Sequence, residues 1–141
     1  MDYKRLENTL IRHEALKLKP YRCSEGFLTI GVGHNLDANG ISEAAAMFIF
    51  DEDIKEHEEA LRKFSWFEGL SDVRQEVLLN LHFNIGHTSF LQFRKMIWAL
   101  ENGDYLEAAE QMKDSKWFNQ VGVRGKQLVE AMVSNSFFPR V

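Results

Sequence analysis

Residues 21–34 read YRCSEGFLTIGVGH and place the chain's single cysteine, Cys23, in a polar turn before a strand broken by glycines. Within FLTIGVGH the side chains alternate, with Leu28, Ile30 and Val32 on one face and Phe27, Thr29, Gly31 and Gly33 on the other. The first set is expected to be a core face. The second is expected to be polar or open, because two of its positions carry no side chain. Pro20, Gly26, Gly31, Gly33 and Gly40 are breakers dense enough to specify short strands and turns here.

On the N-terminal side, Tyr3, Leu6 and Leu10 recur at helical spacing, so residues 3–13 read as an amphipathic helix whose stripe continues to Glu14. On the C-terminal side the pattern turns helical and stays so. Ser42 reads as the N-cap of a long helix with Met47, Phe50, Ile54, His57, Leu61 and Phe64 on one stripe. Ser71 is a second cap, opening a helix whose run from Val77 to Phe83 is apolar on most sides and is expected to be the central buried one. Further helices are expected over 89–102, 105–113 and 123–134, the first stopped by Asn102-Gly103.

The expected fold class is therefore α+β and mostly helical. The 141 residues fit one domain. It would have a small α/β lobe over about 12–64 and a larger helical lobe over 65–141 joined by the N-terminal helix, around a substrate cleft. Trp66, Trp98 and Trp117 are read as core or cleft aromatics.

Composition excludes several classes. A lone cysteine excludes a disulfide scaffold and fits a reducing compartment. No run of about 18 apolar residues is present, so no stable membrane insertion is expected. The charged, amphipathic start, MDYKRLENTLIRHE, is not a signal peptide. The net charge of −4 is uneven: residues 31–70 hold 3 basic and 9 acidic side chains, against 6 and 4 in residues 1–30 and 8 of each in 71–141. So acidic a middle argues against a nucleic-acid partner. The histidines at 13, 34, 57, 82 and 87 show no paired ligand spacing joined to acidic or cysteine partners, so neither a metal nor another cofactor is expected. Gly31-Val32-Gly33 lacks the third glycine and following helix of a dinucleotide site.

Three residues carry candidate chemistry. Glu14 is a carboxylate on an apolar stripe. Partial desolvation there would raise its pKa and suit it to general-acid work, the other reading being an exposed glutamate at a frayed helix end. Thr29 faces the glycine-bared side of the strand, where a sugar ring could approach closely; it is also simply a good strand former. Cys23 stands beside Arg22, which could favour thiolate, although most single cysteines are small buried hydrophobes.

Together the three are spaced as Glu, eight residues, Cys, five residues, Thr. In that arrangement EALKLKPYRCSEGFLTIGVGH, residues 14–34, resembles the catalytic stretch of the phage-type, T4-like lysozymes, in which Asp or Cys stands at the middle position. HFNIGHTSF (82–90) is similar to that family's central-helix exit, and DYLEAAEQMKDSKWFNQVGVRGKQL (104–128) to its C-terminal signature of Trp, an aromatic, Asn and Gln followed by an arginine. The resemblance covers essentially the whole chain.

What it implies is an endolysin muramidase hydrolysing the β-1,4 bond between N-acetylmuramic acid and N-acetylglucosamine of bacterial peptidoglycan. Glu14, Cys23 and Thr29 would be the catalytic positions. Phe83, Asn84, Gln111 and Lys116 would lie against substrate, Arg124 would pair with Glu14, and His34 would have a structural hydrogen-bonding task. The partner implied is the peptidoglycan glycan strand. The protein is expected to be a monomer made in the host cytoplasm and let through the inner membrane by a holin, rather than through a signal anchor. Cys23 could position water, attack the sugar, or fill space. Two further readings remain open, a lytic transglycosylase cleaving the same bond without water and a peptidoglycan-binding domain without catalysis.

Overall fold

A computed structural model describes residues 1–136. Helix α1 (Tyr3–Glu14) is followed by a sheet of β1 (Lys17–Arg22), β2 (Leu28–Gly31) and β3 (His34–Asn35), then by the short α2 (Leu36–Asn39) and the long α3 (Glu43–Arg62). Six helices complete the described chain: α4 (Asp72–Ile85), α5 (His87–Leu91), α6 (Arg94–Glu101), α7 (Tyr105–Lys113), α8 (Lys116–Val121) and α9 (Val123–Ser134). The fold is α+β, mostly helical and lysozyme-like. It forms two compact units that divide inside α3, between Ile49 and Phe50.

In the first unit the sheet is antiparallel in the order β1-β2-β3, so β2 is central. Asp2 caps α1 by accepting from the Arg5 N–H at 3.0 Å. Ala15 ends the helix at φ +65°, a left-handed value costly for a residue with a Cβ. Asn35 caps α2, and Asp37 of that helix accepts from the Leu28 N–H at 2.6 Å, tying the start of β2 in place.

The face assignment of β2 differs from the expectation. Leu28 and Ile30 are only half-buried and Val32 is 38% exposed, whereas Thr29 is 4% exposed. The cause is cross-strand neighbours. Thr29 pairs with Tyr21 on one side and Asn35 on the other, and so is covered from both flanks of the sheet. Its hydroxyl donates to the Phe27 carbonyl at 2.8 Å, which removes the cost of burying it.

The second unit holds the hydrophobic core. Ser71 caps α4 at the Arg74 N–H, and Val77, Leu78 and Leu81 of that helix are fully buried. Around it pack Leu61, Phe67, Phe90, Met96, Leu100, Met112, Leu128 and Met132. Arg74 fastens two parts of this unit. Its guanidinium lies 4.1 Å from the centre of the Tyr105 ring and donates to the Met132 carbonyl at the end of α9. The helix expected over 89–102 is two, because the chain turns at Gln92–Phe93, and α8 was not expected at all.

Candidate functional site

Four of the expected site residues, Glu14, Cys23, Thr29 and His34, lie in the first unit, Cys23 and Thr29 at the β1–β2 turn. The turn is built by Cys23 itself: the Gly26 N–H donates to the Cys23 carbonyl at 2.8 Å, and the Cys23 N–H donates to the Phe27 carbonyl at 3.0 Å. Gly26 supplies the positive φ, +87°, that the reversal requires. The fold of the turn then aims the backbone N–H groups of Glu25 and Phe27 at the Cys23 sulfur, with the Thr29 hydroxyl beside it. These donors hold the half-buried thiol's pKa below its ordinary value, against partial desolvation and the Glu25 carboxylate, which push the other way.

Arg22 takes no part in this. Its guanidinium donates to the Gly26 carbonyl at 3.0 Å and lies 3.7 Å from Asp37, so it braces the turn instead of the thiolate. Thr29 has one hydroxyl hydrogen to give. While Cys23 is a thiol that hydrogen stays on the Phe27 carbonyl; once the sulfur ionises it has a stronger acceptor. The Thr29 hydroxyl thus lies beside the Cys23 sulfur and adds to the groups that favour its ionised form.

Glu14 is the last residue of α1 and is exposed, so the desolvation expected from its apolar stripe is not found. Backbone, not burial, shapes its surroundings. A Cβ placed on Gly33 would sit 2.9 Å from Glu14 Oε2 and 3.1 Å from its carboxyl carbon, so the carboxylate rests where only a glycine leaves room. Gly33 also has φ +65°. The residue after it, His34, donates from Nε2 to the Gly40 carbonyl at 2.5 Å and pins the chain beyond the hairpin.

The remaining site residues lie in the second unit. Phe83 is 37% exposed on the last turns of α4, held edge-on by Phe50 at 5.8 Å between ring centres. Asn84 accepts from Trp117 Nε1 at 2.7 Å, so the amide anchors a buried aromatic. Arg124 donates to the Asn80 side chain at 2.9 Å and to its backbone carbonyl at 3.2 Å. Phe83 and Arg124 line one pocket of about 630 Å³ with Asn80 and Leu79. Gln111 and Lys116 line another of about 600 Å³ with Trp117, Gln120, Arg94 and Lys95. The sequence reading gave no role to the Arg94-Lys95 pair, which shows no spacing signal until the fold brings it to one wall with Gln111, Lys116 and the Gln120 of the C-terminal signature. Among the described residues no group of three or more His, Cys, Asp or Glu could hold a metal ion.

A glutamate ending α1, then a strand turn carrying Cys and Thr, followed by a helical body around a central buried helix, is a lysozyme-like arrangement. Residues 11–134 match the family described as phage lysozyme, and the chain belongs to that family. It is similar to an endolysin of Acyrthosiphon pisum secondary endosymbiont phage 1, at 36% identity over 74% of this chain and 73% of the relative. It is similar also to a SAR-endolysin of Escherichia phage Mu, at 30% identity over 86% of the chain and 70% of the relative. A probable T4-type lysozyme of Dictyostelium discoideum matches at 21% identity over 90% of the chain and 92% of the relative. Family membership carries a peptidoglycan-lytic function. No helix among the described residues is long and apolar enough to cross a membrane.

Proposed function

We propose that the protein is a muramidase of the single lysozyme-like domain type, hydrolysing the β-1,4 bond between N-acetylmuramic acid and N-acetylglucosamine. The observation that carries this reading is the turn in which Cys23 and Thr29 face one another beneath two backbone N–H donors, in the same unit as a carboxylate seated on Gly33. Glu14 protonates the glycosidic oxygen as the bond breaks and the sugar ring gains oxocarbenium character. Thr29 and the Cys23 sulfur hold the water that attacks the far face of the ring, giving inversion. The ionised sulfur is the group that makes this pair a base, and the turn's donors favour that form. Phe83, Asn84, Gln111 and Lys116 contact the glycan, and Arg124, bonded to Asn80, supports the wall of the Phe83 pocket.

The biological setting that fits this chemistry is phage endolysis. The protein acts as a monomer on the wall of the host, reaching it from the cytoplasm after holin-dependent release, and cleavage of the strands leads to lysis. The relatives named endolysin support that setting.

Mass spectrometry of muropeptides released from purified peptidoglycan tests the reaction. Products that have gained one water and end in ordinary reducing sugars are expected. Anhydro ends would replace the hydrolase with a transglycosylase, a reading favoured by the absence of an aspartate at position 23. No release at all would leave a binding domain.

A further inference from the structure

Three of the five histidines meet in the second unit, far apart in sequence and outside the chemistry proposed above. Nδ1 of His57, on α3, lies 2.6 Å from Nδ1 of His82, on α4. Nε2 of the same His82 lies 2.9 Å from Nδ1 of His87, the first residue of α5. His82 is 2% exposed, His57 is half-buried and His87 is exposed, so a buried imidazole is wired at both ends toward the surface. Both ring nitrogens of His82 are engaged, on opposite edges, so one ion could not collect all three rings.

Hydrogen counting decides what this chain can do. Each nitrogen-to-nitrogen contact needs one N–H and one lone pair, and a neutral imidazole supplies one of each. With all three rings neutral, both contacts are satisfied by tautomers running in one direction or the other. One added proton leaves two lone pairs, and placing one in each contact keeps both hydrogen bonds. A second added proton leaves a single lone pair for two contacts. Whichever rings carry the charge, one contact then sets N–H against N–H.

We propose that His57, His82 and His87 form an acid-sensitive latch between α3, α4 and α5 that absorbs one proton intact and opens on the second. Around the central ring, His82, no counter-charge softens that step. The charged groups acting on His82 are the two other imidazoles alone, and the remaining ring against it is Phe90 of α5, at 5.1 Å. On its own helix His57 has Asp53 one turn before it and the apolar Leu61 one turn after. The ring of Phe83 lies 5.1 Å from that of His57. Burial and both neighbouring imidazoles push the His82 pKa down to about 4, so an excess proton resides at the ends of the chain before its centre.

The test is made on the full chain. Nitrogen-resolved NMR of the imidazoles from pH 7.5 to 4.5 should show the three rings titrating together in two steps. In parallel, urea unfolding of the wild type and of His57→Gln is followed over the same range. Removing one ring removes about one proton from the uptake on unfolding, so the wild-type unfolding constant should rise about tenfold more per pH unit near pH 5. Independent single-site curves for all three rings would overturn the latch, as would parallel stability profiles. If His57→Gln does not fold, the wild-type NMR titration decides alone.

Discussion

Cys23 and Gly33 are the residues on which the local chemistry turns. A thiolate-dependent step accelerates as pH rises through the thiol pKa, and here that pKa lies below the ordinary thiol value because three donors face the sulfur. The rate of peptidoglycan cleavage should therefore show an alkaline-rising limb. Cys23→Asp should keep activity and lose that limb, since a carboxylate is already ionised, while Cys23→Ser should lose most activity at every pH. A fully active serine variant would reduce the thiol to a space-filler. Glu14→Gln should lower the cleavage rate by about 10²–10⁴-fold with the melting temperature unchanged, the range expected for removing a general acid. Gly33→Ala should give a comparable loss by a different route, since the new methyl would displace the Glu14 carboxyl and the left-handed backbone would cost about 1–2 kcal/mol. A Gly33→Ala protein that cleaves normally would disconnect that hairpin from the acid.

At the scale of elements, most helices were legible before any coordinates. Ser42 and Ser71 each cap a helix where their spacing placed them, and of the run from Val77 to Phe83 the residues Val77, Leu78 and Leu81 form the buried spine while Phe83 is exposed. What escaped was where the chain breaks without glycine or proline. Gln92–Phe93 ends one helix and starts another with neither, and α8 is only six residues, too short for periodicity to register. The β2 faces were misread because alternation reports only that two faces differ. Which one is covered depends on strand order, and Thr29 is central in a sheet whose order the sequence does not declare. The Glu-Cys-Thr spacing was readable because all three fall within residues 14–29, from the end of α1 through β1 and its turn to β2. The histidine chain was not, since 25 residues separate His57 from His82. Ser71 ties two elements, capping α4 and bonding Asn135 after α9, so Ser71→Ala should lower stability by about 1 kcal/mol in urea unfolding.

For the whole molecule, stability is unevenly held. Thr29 is the single fully buried residue of the first unit's described chain, while the second carries the entire hydrophobic core. Native-state hydrogen exchange should find the α4 amides among the slowest and those of β1 and α2 among the fastest. Protection spread evenly over both units would contradict that distribution. Acid should act on the second unit. A His82 held neutral, with its pKa moved from 6.5 to about 4, contributes up to about 3 kcal/mol. That contribution is complete above pH 6.5 and fades as the pH falls toward 4. Calorimetric melting temperatures between pH 7 and 4.5 should fall accordingly, and by less in His82→Phe if that variant folds.

Possession of one sulfhydryl, seated in the turn that carries the proposed chemistry, makes the molecule its own assay standard. A chromogenic disulfide added in excess consumes one equivalent per chain, so colour counts molecules and residual lytic activity counts intact centres in the same cuvette. The hydrogen bonds that favour the anion also leave a signature in time. A correctly formed turn should be tagged faster than an unfolded chain, which lacks those donors, at the same pH. Batches could then be graded for refolding quality by a stopwatch, with no cell wall in the tube.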